Sequence, residues 1–242
     1  MNSYDIEKVS YRWLRRAIGV LGIILPIALS WGCHESAGLC TPAGSISGYY
    51  HTSMRFLFVT VLVLLAVLLF AYPGYDEDDD FAGHLAGLFA LGVAIFPTNA
   101  PGTHMDLRAW VHVCCAAALF LLMAVFCLFL FRRTDQDRKP PGRQRSVLAG
   151  ARGFLTPPKP SVTLDPRKKV RNGLFIGCGA VILASVAAML IYEIAKRHAT
   201  TTQSSDFVWY CETAALVAFG FAWMVKGDML IAGGSADEPK PE

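Results

Sequence analysis

Apolar positions along this chain gather into six long runs, Leu14–Trp31, Phe56–Tyr72, Phe81–Phe96, Ala109–Phe131, Leu174–Ile194 and Phe207–Val225. A helix needs about 20 apolar residues to cross a hydrocarbon core roughly 30 Å thick, so the pattern predicts an all-α polytopic membrane bundle of six transmembrane helices. The second and third runs are short and must borrow Met54, Arg55 and Thr98 from their flanks, or sit in a thinned bilayer. His84 and the early glycine and alanines of Phe81–Phe96 make it the least apolar of the six. The chain divides accordingly into an interfacial segment (1–13), four spans (14–131), a basic Pro-rich connection (132–170), two more spans (171–226) and a tail (227–242).

Composition agrees with this division. Of 242 residues, 54% are apolar and 17% charged, with a mean hydropathy of +0.41, which leaves no room for a large water-soluble catalytic domain. The net charge of +3 is explained by where the basic residues lie. With the N-terminus inside, 18 of the 22 Lys and Arg fall on the cytoplasmic side, leaving only Arg55, Arg108, Lys196 and Arg197 outside. Both termini are therefore expected in the cytoplasm, and a nucleic-acid partner is not needed to account for the charge. The first run reads as an anchor and not a signal peptide, since neither Ser30–Cys33 nor Ala37–Cys40 has the small-residue run that precedes a lipidated cysteine.

Pro26 should bend the first span. The first dozen residues, with Tyr4, Ile6, Val9 and Tyr11 among charges, suit a segment lying at the interface. The connection from Arg132 to Val170 holds six prolines and dense charge, so it is expected to be disordered and to attract anionic lipid headgroups. Small residues four apart, Gly83 and Gly87, Gly173 and Gly177, and Ala214, Ala218 and Ala222, predict close helix crossings and a compact bundle without a wide pore. Membrane lipids are the expected partners, with association into a homo-oligomer left open.

The ionisable residues sort into two layers. On the cytoplasmic side, Asp76–Asp80 lack the alternation and glycine of a calcium loop. They read as helix-start residues and a solvated turn near Arg15, Arg16 and Lys226. The external layer gathers Ser47, Tyr50, His51 and Arg55 from the first loop, His104, Asp106 and His112 from the start of the fourth span, and Glu212 near the start of the sixth. His112 and Glu212 should lie ~6–8 Å below the interface. Ionisable groups at that depth face the bundle interior with a partner, so Glu212 is expected to pair with His112, Arg55 or both. The layer is a binding-site candidate for a lipid headgroup or small solute, or, through its histidines and carboxylate, for zinc. No HExxH, G-x-S-x-G or phosphate-binding glycine loop occurs, so catalysis has no motif behind it. Five cysteines lie in spans as small apolar residues, while Cys33 and Cys40 share the first external loop, where an oxidising compartment favours a disulfide.

Through Ser45–Arg55 (SISGYYHTSMR), Ala90–Thr98 (ALGVAIFPT) and Ala218–Trp223 (AFGFAW), the chain resembles a group of uncharacterised bacterial multi-pass membrane proteins. That resemblance implies a bacterial inner-membrane location and no particular activity. Ser47-x3-His51 also resembles the first element of the membrane hydrolases that include alkaline ceramidases and progestin-receptor-like proteins. Those have seven spans and a late His-x3-His at their zinc, whereas six spans are read here and no such pair occurs. The leading expectation is a membrane protein that binds or passes a small solute or lipid headgroup. The alternative is a metal-dependent hydrolase acting on a lipid at the outer leaflet.

Topology is open to direct measurement. Single cysteines introduced in 138–166 should be labelled only from the cytoplasmic side, and those in 36–47 only from outside; external labelling of the long connection would invert both layers.

Overall fold

The structure is a computed structural model, and the residues it describes are 3–35, 44–72, 74, 77–100, 103–133, 166–198 and 206–230. Among the described residues there are six α-helices and no strand: α1 Ser3–Glu35, α2 Arg55–Phe70, α3 Glu77–Ile95, α4 Leu107–Leu128, α5 Pro166–His198 and α6 Phe207–Lys226. Two 3-10 turns accompany them, Ser47–His51 before α2 and Leu130–Arg132 after α4. Four helices are long and apolar enough to cross a membrane, through Ser10–Glu35, Leu107–Arg132, Pro166–Lys196 and Phe207–Lys226. α2 is apolar throughout but has only 16 residues, and α3 opens on acidic residues.

The helix boundaries depart from the apolar runs in informative ways. α1 is continuous from Ser3, so the segment expected along the interface forms the first turns of the spanning helix itself. It also continues through Pro26, where the Ser30 hydroxyl donates to the Pro26 carbonyl at 2.9 Å. α5 extends at both ends past Leu174–Ile194, and its first turn carries Arg167, Lys168 and Lys169. Residues 134–165 of the basic connection, the rest of its expected disorder and lipid contacts, lie outside the described residues, as does most of the tail.

Each helix packs on its neighbours in sequence, and α6 returns to α1, so the six form a closed ring. At two of its seams glycine brings backbone close to backbone. At the α1–α6 seam, a Cβ on Gly220 would lie 2.5 Å from the Gly19 carbonyl oxygen, and one on Gly19 would lie 2.7 Å from the Gly220 carbonyl oxygen. Backbone therefore meets backbone there, as small residues allow in membrane bundles. At the α2–α3 seam, Gly83 and Gly87 face the carbonyls of Leu69 and Ala66 at 3.0 Å, as their spacing predicted. Gly173 and Gly177 form no such seam, because nothing lies within 4 Å of a Cβ at either; they look outward from α5.

One end of the bundle, the lower, gathers the end of α2 and the start of α3, the turn after α4, the start of α5 and the end of α6. Trp223 is fully buried there, with Tyr72, Phe131, Phe126 and Phe219 ring centroids at 4.8, 5.0, 5.5 and 5.8 Å. Around this aromatic floor sit buried charges. Arg133 pairs with Asp79 at 3.0 Å. Arg171 pairs with Asp228 at 3.4 Å and donates to the Val225 carbonyl. Lys226 donates to the Phe131 carbonyl at 3.0 Å, and Arg15 lies 5.6 Å over the Tyr72 ring. Asp79 does stand in the first turn of α3, as expected, but it is buried there and pairs with Arg133, which the sequence placed in the long connection. Asp80 does act locally, accepting from the Gly74 amide at 2.6 Å.

The seams predict opposite outcomes for similar substitutions. Gly220→Leu should lower the melting temperature in detergent through overpacking of about 1–3 kcal/mol or more. Gly177→Leu should change stability by less than about 0.5 kcal/mol. Equal losses from the two would show that α5 turns Gly177 into the bundle after all.

Candidate functional site

The upper end of the bundle holds the 3-10 turn Ser47–His51, the C-terminal end of α3, and the first turns of α2, α4 and α6. Every residue of the predicted external layer that is described lies on this end, but their partners differ from those expected. Glu212, in the second turn of α6, is buried. Its carboxylate accepts from the Ile46 backbone amide and from the Ser47 hydroxyl, the latter at 3.2 Å. A second link runs alongside, from the Trp209 amide to the Gly44 carbonyl at 3.0 Å. The start of α6 is thus held against the chain that leads from α1 into α2.

His112 and Arg55 do not join Glu212. His112, buried on α4, places Nδ1 2.8 Å from the Phe96 carbonyl at the end of α3. Because a carbonyl can only accept, the proton sits on Nδ1, and Nε2 of the neutral ring is an acceptor. That Nε2 is buried and has no hydrogen-bond partner. Arg55 is exposed, donates to the Tyr50 hydroxyl at 2.9 Å and stacks 4.4 Å from that ring. The expected charge pairing fails for a physical reason. Backbone amides and carbonyls freed at the 3-10 turn and at the end of α3 reach the buried side chains first, and they satisfy them without desolvating a guanidinium.

The remaining members are structural or exposed. His51 Nε2 meets the Thr98 carbonyl at 2.6 Å on the surface. Asp106 caps α4, accepting from the Ala109 amide at 2.8 Å. His104 is exposed. Cys33 is disulfide-bonded, whereas Cys40, the partner expected for it, lies outside the described residues. The cysteines of the spans, Cys114, Cys115, Cys127, Cys178 and Cys211, are free thiols.

These residues do not fit a zinc site. Among the described residues no three of His, Cys, Asp and Glu come together. Ser47 is turned to Glu212, and the facing nitrogens of His51 and His112 are held by carbonyls.

Below Glu212 runs a cavity that the sequence reading did not anticipate. It has about 40 Å³ of room for the centre of a water molecule, where one water needs roughly 10–15 Å³. Phe58, Leu62, Leu65 and Leu69 line it along one stripe of α2, which at 1.5 Å per residue covers about 16 Å of helix. So small a volume over such a length makes a slot about one hydrocarbon chain wide. Ala90 and Val93 of α3, Ala116, Leu119, Phe120 and Met123 of α4, Leu25 of α1, and Leu216 and Phe219 of α6 complete its walls, while Glu212, Ser47 and Ile46 form its polar end. No residue of α5 contributes to it.

Compared with known proteins, the chain matches no family model, and neither a curated protein nor a solved structure is found to be similar to it.

The site geometry ranks the side chains by their cost of removal. Glu212→Ala strands the buried Ile46 amide and should cost about 1–3 kcal/mol. Arg55→Ala, which removes one exposed contact with Tyr50, should cost no more than about 1 kcal/mol. Detergent melting curves separate them, and a loss for Arg55→Ala as large as that for Glu212→Ala would restore the charge pairing expected from sequence.

Proposed function

We propose that this chain is an integral membrane protein that binds a small amphiphile, with the ligand's polar end at Glu212 and Ser47 and its apolar part in the slot below. The observation that carries the reading is the form of that slot. Its walls are apolar along their length, its one polar patch is at the upper end, and its bore suits a hydrocarbon chain. Empty apolar cavities stay dry and take apolar groups in preference to water, so a wholly polar solute would find no partners in it.

In this reading the chain spans the membrane six times, with α2 and α3 crossing as a tightly packed pair in a locally thinned bilayer. The upper end faces outward and both termini are cytoplasmic, because the basic residues crowd the lower end and the connection leading from it. The resemblance carried by Ser45–Arg55 supports a bacterial inner membrane as its location. Surrounding lipids are its other partners, including anionic headgroups met by the basic connection. A lipid hydrolase is the weaker reading, since Ser47 and His51 are engaged separately and bring no third metal ligand with them.

Six-carbon amphiphiles differing only in headgroup (hexanol, hexylammonium, hexanoate) test the reading by thermal unfolding in detergent. At least one should raise the melting temperature saturably, as a ligand of the folded state must. Ala116→Leu, which fills the slot with a larger side chain, should abolish that rise without loss of fold. If none stabilises the protein, or if Ala116→Leu responds like the natural chain, the slot is not a binding site.

A further inference from the structure

We infer that the amphiphile taken by this slot is an organic cation, a protonated aliphatic amine, and not an anion or a neutral alcohol. This deepens the proposed function and rests on it. The polar end of the slot is made of acceptors. Glu212 is buried, and the groups that donate to it, the Ile46 amide and the hydroxyl and amide of Ser47, are uncharged. They leave part of the carboxylate's capacity of about four lone-pair sites unused.

Among the described residues the cations at this end do not reach Glu212. Arg55 lies against Tyr50, and Arg108 and Lys196 are exposed. A carboxylate buried in a membrane-length helix without a counter-charge is costly, and an ammonium delivered by a ligand supplies that charge together with up to three donors. His112 provides the independent second observation. It stands one turn above Ala116 on α4, and the carbonyl it holds, that of Phe96, is one turn beyond Val93 on α3. Both Ala116 and Val93 line the slot. Its Nε2 is an unpartnered buried acceptor at the same end, so it too calls for a donor. Among the residues that line the slot, the Ser47 hydroxyl and the Ile46 amide are already spent on Glu212, so an entering carboxylate or phosphate stands opposite a like charge.

Isothermal titration of the purified protein with hexylammonium, hexanol and hexanoate decides it. Hexylammonium should bind at least about tenfold more tightly than either of the others, since like-charge opposition and a missing ion pair each exceed that margin. Glu212→Gln keeps an acceptor for the Ile46 amide but no charge, and it should bring the affinity for the amine down to that for hexanol in the same variant. Equal affinities in the natural chain, tighter binding of hexanol or hexanoate, or an amine preference that survives Glu212→Gln would overturn the cation assignment while leaving amphiphile binding intact. Failure of all three ligands would instead remove the slot as a binding site, and the parent reading with it. The ranking in the natural chain needs no variant, so it stands as a test even where Glu212→Gln fails to fold.

Discussion

A carboxylate placed in the second turn of a membrane-length helix has to be satisfied by protein atoms, and here the satisfaction comes from the backbone and hydroxyl of a 3-10 turn far away in sequence. Through Glu212, Ile46 and Ser47, the chain joining α1 to α2 is fastened to the top of α6. The glycine seam between α1 and α6 and the bonds from Arg16 to the Gly227 and Asp228 carbonyls complete the attachment below. α6 is thereby joined to α1 at the top, middle and bottom, and this closes the ring. Polar groups inside a bilayer admit few arrangements, because each unpaired group there costs several kcal/mol.

The slot follows from how side-chain volume is distributed between the two ends of the bundle. Large rings fill the floor, where Trp223 sits among Tyr72, Phe126, Phe131 and Phe219. Tyr49 and Tyr50 are buried at the top, beside Phe58. Between these layers α3 and α4 place the short side chains Ala90 and Ala116 among the larger ones that line the cavity, and neither reaches far toward the leucines of α2. Protein interiors ordinarily close such gaps, since unfilled volume is destabilising. A gap retained between two dense layers, with a buried carboxylate at one end, is a feature that a ligand would complete.

All six apolar runs lie within or against the observed helices, so the helical class was legible from hydropathy alone. The inward face of α2 was not, because its 16 residues are almost all apolar and no periodicity separates the slot stripe from the outer side. Close crossings were legible only where one helix supplies both small residues. Gly83 and Gly87 announced theirs, whereas Gly19 and Gly220 stand on different helices and meet only in the fold. At the site, Glu212 and His112 were each identifiable by their cost inside a membrane, yet their partners were missed. An inventory of side chains cannot show the Ile46 amide or the Phe96 carbonyl, and it pairs charge with charge by default. The same habit hid Asp79 and Arg133, whose contact depends on how the end of α4 folds back.

The fastening of α6 to the turn before α2 is tested most directly by a double-mutant cycle on Ser47→Ala and Glu212→Gln, read from unfolding free energies in one detergent. A hydrogen bond between a hydroxyl and a buried carboxylate predicts a coupling of about 1–3 kcal/mol. Losses that add to within about 0.5 kcal/mol would mean that the two side chains act independently. In that case the upper end of the bundle is held together by something other than Glu212.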